Sequence, residues 1–172
     1  MQIKIKRALC DKPYVEEYAK LLAELDEKEE NKEVKRTDIM GSLFEIEIDS
    51  KRVGYISCQD YEHKASKSRM CQITGIIIKP EYRLLGYAEK TIDEFIRKNK
   101  KDYFSIYCWV NKNNTNALDF FSKVGAFKIA DPLSSIVLTK DYTRKNLIEL
   151  DGKLAVVLYN GGLRFKGRDI KF

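Results

Sequence analysis

Residues 79–88, KPEYRLLGYA, join an apolar β-type run to a helical pattern and combine residue types that can bind a phosphate group. Pro80 ends the strand because it has no backbone N–H to donate to the ladder. Gly86 permits a positive φ and a close approach of a ligand to the backbone, and Arg83 adds positive charge at the rim. The first turn of the following helix supplies unpaired N–H groups and the positive end of its dipole. From these residues the stretch fits either a simple strand-to-helix connection or a phosphate or pyrophosphate pocket.

The elements that position this turn follow the order β-α-β-β-β-α-β-α-β-β. Three consecutive antiparallel strands followed by a helical crossover predict a mixed α+β sandwich, and the strict alternation of a doubly wound fold is missing. We expect a central, mostly antiparallel sheet flanked by helices. On the first helix, we expect Val15, Tyr18, Leu22 and Leu25 to form the buried stripe. The predicted strands are residues 2–9, 42–48, 52–59, 70–78, 103–110, 127–130 and 135–139, and the helices begin near Asp11, Tyr87 and Thr115.

The C-terminal segment has a different pattern from the rest of the chain. Asp151-Gly152 and Asn160-Gly161-Gly162 separate strand-like runs, which predicts two successive hairpin turns. From Asp141 onward the segment carries seven Lys/Arg against four Asp/Glu. We therefore predict a main domain at residues 1–140 and a β-hairpin extension at residues 141–172, packed on the same domain at the sheet edge. The alternative is that these strands pair with a second chain, giving a homodimer.

Composition excludes several classes of protein. The chain has 172 residues and a net charge of +6, and no apolar run approaches the ~18 residues of a membrane span. The first residues alternate Ile with Lys, so we expect no signal peptide, no membrane partner and a cytoplasmic location. The basic charge alone would allow nucleic acid as a partner, but no binding motif accompanies it, so this function is not favoured. Four separated cysteines and a single histidine, His63, predict buried thiols and no metal site.

The phosphate turn also resembles a known motif. Residues 78–88 resemble the acyl-CoA loop V-x-P-x-Y/F-R-x-x-G-x-G/A of the GNAT superfamily of N-acyltransferases, and only the leading Val differs, being Ile78 here. A second element, V-x-x-x-N-x-x-A-I/L followed by G-A/S-F, is similar to Val110, Asn114, Ala117-Leu118 and Gly125-Ala126-Phe127. The resemblance covers residues 1–140 and agrees with the order of the elements.

The resemblance implies acetyl-CoA as the cofactor. Backbone groups of the fourth strand would pair with the pantetheine arm, the amides of the turn would hold the pyrophosphate, and the helix from Thr115 would flank the thioester. From the residues alone, the strand is a core strand, which is compatible with ligand contacts through its main chain, Asn114 fits a helix N-cap, and Phe121 favours core packing. The implied cofactor-binding residues are Ile76, Ile77, Ile78, Arg83, Leu84, Leu85, Gly86, Tyr87, Ala88, Asn114, Ala117 and Phe121.

The groups that would handle protons are harder to identify. A backbone N–H near Ile78 is the candidate for stabilising the oxyanion. Where the family often has a Tyr acid this chain has Phe121, but a thiolate of pKa about 8.5 leaves without much help. Where many members have a Glu on the fourth strand, this chain has Thr74, with Gln72 two residues earlier. The remaining candidates for acid or base each favour a structural role, and they are Asp60, Glu62, Tyr107 and Cys108.

Two functions therefore follow from the sequence. The first is an N-acetyltransferase that moves an acetyl group from acetyl-CoA to a primary amine of a small molecule or peptide, by direct attack in a ternary complex. A lysine-like amine of pKa about 10.4 is uncharged only to a few parts in ten thousand at pH 7, so water or an unusual carboxylate would act as base. The alternative, motivated by Phe121 and Thr74, is an acyl-CoA-binding module with weak or lost catalysis. The acceptor has no recognisable sequence code.

Overall fold

The computed structural model describes residues 2–8, 12–29, 41–62, 67–124, 127–128, 149–150 and 152–161. The chain divides into two compact units, of which the first comprises Met1–Gln59 with Ile73–Phe95 and the second Asp60–Gln72 with Ile96–Phe172. The mixed α+β class predicted from the sequence is confirmed. In chain order the elements are β1 Ile3–Arg7, α1 Lys12–Glu29, β2 Ser42–Ile48, β3 Lys51–Glu62, β4 Arg69–Ile78, α2 Tyr87–Asn99, β5 Ser105–Asn111, α3 Thr115–Lys123, β6 Phe127–Lys128, β7 Glu149–Leu150 and β8 Lys153–Asn160.

The first unit contains strands in the order β1-β2-β3-β4, and β2 is antiparallel to both β1 and β3. Helix α1 packs through Tyr18 and Leu21 against a cluster on one face that includes Leu43 of β2. Helix α2 places Phe95 edge-on against Phe44, the next residue of β2, with 6.5 Å between ring centroids. Because consecutive strand residues point to opposite faces, α1 and α2 cover opposite faces of this part of the sheet.

The buried face of α1 differs from the predicted stripe. Tyr18 is buried as expected, but Leu21 is the second deeply buried residue, while Val15 and Leu22 are only half-buried. The side chain of Leu25 lies outside the described residues. The helix is therefore rotated so that Leu21 faces the sheet. Leu21 and Tyr18 pack there in one buried cluster with the strand residues Leu43, Tyr55 and Ile77. Burying each of these large side chains contributes roughly 1.5–3 kcal/mol.

The second unit has the strand order β4-β5-β8-β6, and β7 also pairs with β8. Strand β8 is antiparallel to β5, with Cys108 opposite Val156, and to β6, with Phe127 opposite Val157. Its central residues 155–158 are all buried, as expected for a strand with neighbours on both sides. The prediction that the C-terminal strands form an edge was therefore wrong for β8. That edge was also the basis for the predicted pairing with a second chain.

The first of the two C-terminal hairpin turns is confirmed. Leu150 pairs with Lys153, and Gly152 between them has φ +73°, a conformation that glycine adopts without a steric cost. The predicted strand at 135–139 and residues 162–172 lie outside the described residues. No helix in the described part of the chain is long and apolar enough to cross a membrane.

Candidate functional site

The turn after β4 is anchored at its start and open at its end. The Lys79 amide donates to the Val53 carbonyl at 2.9 Å, and the Tyr82 and Arg83 amides close a short 3₁₀ turn that begins at Pro80. The next amide with an acceptor is Lys90, which bonds to the Gly86 carbonyl at 3.2 Å. Among the described residues, the N–H groups of residues 84–89 donate to no acceptor. A continuous run of backbone donors thus precedes and begins α2.

The backbone of this run is bent so that its amides can converge. Leu84 has φ +63° and Gly86 has φ +73°, two left-handed conformations separated by one residue. Such alternation makes a concave nest of N–H groups suited to an anion. A methyl group at Gly86 would meet no atom within 4 Å, so this glycine is required for its φ and leaves the nest open. The left-handed conformation of Leu84 costs about 1–2 kcal/mol of conformational free energy, and the side chain of this residue is fully exposed.

Arg83 lies differently from the rim position expected for it. Its guanidinium folds back toward β4, where Nε donates to the Ile78 carbonyl at 2.9 Å. Its Nη2 is buried and has no hydrogen-bond partner among the described atoms. Its own amide is also engaged, with the Pro80 carbonyl at 3.3 Å. A buried cationic donor without an acceptor beside an open amide run fits a phosphate-bearing ligand.

The strand before the turn keeps its side chains in the core. Ile77 and Ile78 are buried and Ile76 is half-buried, so a ligand at this strand would use main-chain groups. A Cβ at position 54 of β3 would collide with the Ile77 carbonyl. Because Gly54 has no side chain, the two backbones can approach closely. The core-strand interpretation of residues 76–78 is confirmed, and it is compatible with backbone pairing to a ligand.

Asn114, Ala117 and Phe121 belong to the second unit. Asn114 is the N-cap of α3, and its Oδ1 accepts the Ala117 amide at 2.9 Å. Phe121 is buried and contacts Phe120 edge-on at 5.1 Å, which confirms that it packs in the core. The capping role of Asn114 is thereby shown, while its contact with a cofactor stays a prediction. Gly125 and Ala126 of the second motif lie outside the described residues.

Two of the candidate acids and bases, Asp60 and Glu62, are exposed carboxylates of the second unit that already have cationic partners. Asp60 Oδ2 pairs with Arg69 at 3.1 Å, and its Oδ1 accepts the Tyr103 hydroxyl at 2.6 Å. Glu62 pairs with Lys67 at 3.3 Å. These contacts explain both carboxylates as surface ion pairs, each worth at most about 1 kcal/mol.

The other two candidates, Tyr107 and Cys108, are buried neighbours on β5. Burial raises the pKa of Tyr107 to about 12, with smaller contributions from Tyr61 and Cys71. Burial also raises the pKa of the Cys108 thiol. Both groups therefore stay protonated near neutral pH, and neither can act there as a base. Cys58, Cys71 and Cys108 are buried thiols outside any disulfide, and their burial was predicted, while Cys10 and His63 lie outside the described residues.

Sequence reasoning missed a charged cluster that holds the start of the turn. Glu17 of α1 bonds to Lys79 Nζ at 2.7 Å, pairs with Arg52 at 3.3 Å, and accepts the Tyr55 hydroxyl. Arg52 also lies over the Tyr14 ring, 4.8 Å from its centroid. Partial burial would raise the pKa of Glu17, but the hydrogen bonds from Lys79 and Tyr55 outweigh it and keep the pKa below its usual value. Glu17 was one acid among many on α1, and only its position beside Lys79 distinguishes it.

A second missed feature of the first unit is a chain of three hydroxyl groups. Tyr18 Oη lies 2.7 Å from Ser57 Oγ, and Thr74 Oγ1 donates to the same Ser57 oxygen at 2.8 Å. Gly75 lies directly beneath, since a Cβ there would collide with the Tyr18 hydroxyl. The sequence identified Thr74 only as a group that does not titrate. Nothing in the sequence indicated that Ser57 and Tyr18 would form hydrogen bonds in series with it.

Comparison with known proteins places these features in a family. Residues 6–126 match the model of the acetyltransferase (GNAT) family, whose cofactor is acetyl-CoA. A GNAT acetyltransferase structure from Staphylococcus aureus is 17% identical, with a TM-score of 0.59 over 92% of this chain and 100% of that one. An Arabidopsis thaliana protein in complex with the bisubstrate analogue CoA-Ac-MVNAL is 14% identical, with a TM-score of 0.57 over 91% and 97%.

A third similar structure is an aminoglycoside acetyltransferase from an uncultured soil metagenomic sample, in complex with sisomicin. It is 17% identical, with a TM-score of 0.56 over 82% of this chain and 95% of that one. At such identities the likeness of all three structures establishes the fold. A comparison with curated proteins found no match.

Proposed function

Because the chain belongs to the acetyltransferase (GNAT) family, we propose that it transfers an acetyl group from acetyl-CoA to a primary amine of a small molecule or peptide. The amine nitrogen attacks the thioester carbon in a ternary complex, an N–C bond forms and the C–S bond breaks. Overall one proton passes from nitrogen to sulfur, so no further reactant is needed. Similar structures hold a peptide-type bisubstrate analogue and an aminoglycoside, which supports both acceptor classes.

The observation that carries this proposal is the open run of amides at residues 84–89. A pyrophosphate needs several convergent donors, and the run offers them at the N-terminus of α2 with Gly86 at φ +73°. The unpartnered Nη2 of Arg83 lies in the same turn. We assign the pyrophosphate to this turn and the pantetheine arm to the backbone of residues 76–78. Asn114, Ala117 and Phe121 are assigned to the cofactor's thioester side, and the Ile78 N–H to the oxyanion.

The second candidate is an acyl-CoA-binding module with weak or lost catalysis. It is favoured by the absence of a proton donor at Phe121 and by the raised pKa values of Tyr107 and Cys108. Both candidates share the cofactor, and thiol release separates them. We further propose that residues 1–140 and 141–172 form one functional domain, since β8 pairs with β5, and that the protein works in the cytoplasm, where buried thiols stay reduced.

The test uses Leu85, whose side chain is exposed and lies within the open run. Leu85→Glu places a carboxylate beside the pyrophosphate and should weaken acetyl-CoA binding about tenfold by calorimetry, since like charges several ångströms apart repel by 1–2 kcal/mol near a protein surface. Leu85→Gln is the matched control and should stay within about twofold. Equal affinities of the two variants, or no binding by the wild type, would contradict the assignment.

Thiol release from acetyl-CoA with a panel of amines then distinguishes enzyme from binding module. We expect turnover that saturates with one class of amine. Tight binding of acetyl-CoA with no thiol release on any amine would favour the module.

A further inference from the structure

Leu84 is an unusual residue for the conformation that it adopts. Its φ of +63° lies in the left-handed region, which is unfavourable for a residue with a Cβ, while its side chain is fully exposed. The other described non-glycine residues with a positive φ are Asp49, Ser50 and Lys67, all of them polar. Leu84 is thus the one apolar member of this described group, and no burial of its side chain offsets the unfavourable backbone. Such an outlier favours a role in binding.

The backbone of Leu84 places this side chain beside the open run of amides. Its N–H group is the first donor of residues 84–89. The amide nitrogen and the Cβ of one residue are about 2.5 Å apart, so an oxygen bonded to this N–H at about 2.9 Å lies within about 5.5 Å of the Leu84 Cβ. The buried Nη2 of Arg83, which has no partner among the described atoms, adds a cationic donor to the same turn. A phosphate group held there is therefore a close neighbour of the Leu84 side chain.

The two sides of the pyrophosphate differ in where they would lie. The inference rests on the proposed function, which assigns the pantetheine arm to the backbone of residues 76–78. Ile77 and Ile78 are buried, so the arm would lie against the body of the protein. The adenosine part continues beyond the pyrophosphate, and its base offers a flat apolar face. A fully exposed leucine at the first amide of the run is therefore suited to contact the adenosine part.

We propose that the Leu84 side chain packs against the adenosine part of acetyl-CoA and thereby selects acetyl donors that carry this nucleoside over donors that carry phosphopantetheine alone. The contact removes apolar surface of both partners from water, and no bond is made or broken. Leu84 is in this account a specificity-determining residue for the donor. The amides of the run bind phosphate in either kind of donor, so they provide affinity without this selectivity.

Substitutions at Leu84 test the contact by calorimetry with the full chain. Leu84→Asn removes the apolar side chain but retains a residue that adopts the left-handed conformation readily. It should bind acetyl-CoA about tenfold more weakly, because several carbon atoms lose their contact. Leu84→Met keeps the apolar surface and should stay within about twofold of the wild type. Leu84→Gly is the second variant, should Leu84→Asn fail to fold, and should show the same loss.

A second donor locates the contact along the cofactor. Acetyl-4′-phosphopantetheine keeps the thioester, the arm and one phosphate group but has no adenosine. Its affinity for the Leu84→Asn chain should stay within about twofold of its affinity for the wild type, since the lost contact is one that this donor never makes. The preference for acetyl-CoA over the truncated donor should therefore fall about tenfold in the variant.

The stability of the chain without cofactor gives a further readout. Asparagine lowers the conformational cost at position 84, so Leu84→Asn should raise the melting temperature by about 2–4 °C while it weakens acetyl-CoA binding. Lys67→Asn is the matched control, because Lys67 is exposed and has a φ of +56° outside the turn. This control should leave the affinities for both donors unchanged.

The outcomes separate this inference from the proposed function. Equal losses for the two donors in Leu84→Asn would place the contact on the arm or the phosphate and overturn the inference. Unchanged affinities in both Leu84→Asn and Leu84→Gly, the result expected if a second copy of the chain covered Leu84, would also overturn it. They would leave the pyrophosphate assignment, which Leu85→Glu tests, standing. A wild type that binds no acetyl-CoA would contradict both.

Discussion

The N-termini of α2 and α3 are built in opposite ways. At α3, Asn114 caps the helix and its Oδ1 satisfies the Ala117 amide. At α2, the amides of residues 84–89 have no acceptor among the described residues, and two left-handed residues hold them in an open bend. A side-chain cap stabilises a helix by about 0.5–2 kcal/mol, and α2 begins without one. The closed N-terminus serves the fold, whereas we propose that the open one binds a ligand.

The largest effect is expected at Gly86, one of the two left-handed residues in the open bend before α2. Gly86→Ala puts a Cβ in the open bend at φ +73°, which should cost about 1–2 kcal/mol of stability and weaken acetyl-CoA binding at least tenfold. Gly152 is a matched control, because it has the same φ and equally open surroundings in the β7–β8 turn. Gly152→Ala should lower the melting temperature similarly and leave affinity unchanged. Equal affinity losses in both variants would mean that backbone strain, not the ligand site, is being measured.

The next effect concerns the closed N-terminus. Asn114→Ala removes the acceptor for the Ala117 amide and should destabilise the protein by about 1 kcal/mol in denaturant unfolding. Asn114→Ser keeps a capping oxygen and should recover most of the loss. A stability unchanged by Asn114→Ala would show that the cap contributes nothing.

The smallest effect concerns the anchor of the open turn. Glu17→Gln removes the charge that holds Lys79 and should cost about 0.5–1 kcal/mol at pH 7, because the pair is partly exposed. Since the pKa of Glu17 is lower in the folded chain than in the unfolded one, this stabilisation is present above about pH 4.5 and is lost as the pH falls through the folded value. The difference between wild type and variant should therefore shrink with acid. A difference that stays constant down to pH 2 would contradict the ion pair.

Local features of the fold could be read from the sequence. The bounds of β2 and α2 match the predicted 42–48 and the start at Tyr87, because periodicity and turn residues act within a few positions. The position of β8 could not be read in this way. Its run of consecutive apolar residues fits a central strand, yet the flanking turn residues suggested a hairpin at an edge.

The candidate site likewise has parts that could be predicted from the sequence and parts that could not. The turn motif predicted the left-handed Gly86, since a helix start and a phosphate impose local conformations. The direction of the Arg83 side chain, the Glu17–Lys79 pair and the Thr74–Ser57–Tyr18 series depend on contacts between residues distant in sequence. No spacing rule in a single sequence brings such residues together, so these contacts could not be predicted.

The central claim is that the amides of residues 84–89 hold the pyrophosphate of acetyl-CoA. Amide hydrogen exchange of the full chain, with and without saturating acetyl-CoA, tests it residue by residue. We expect protection of residues 84–89 to rise at least tenfold, while the Ala117 amide, already bonded to Asn114, changes little. Acetyl-CoA that binds while residues 84–89 exchange as fast as before would contradict the account.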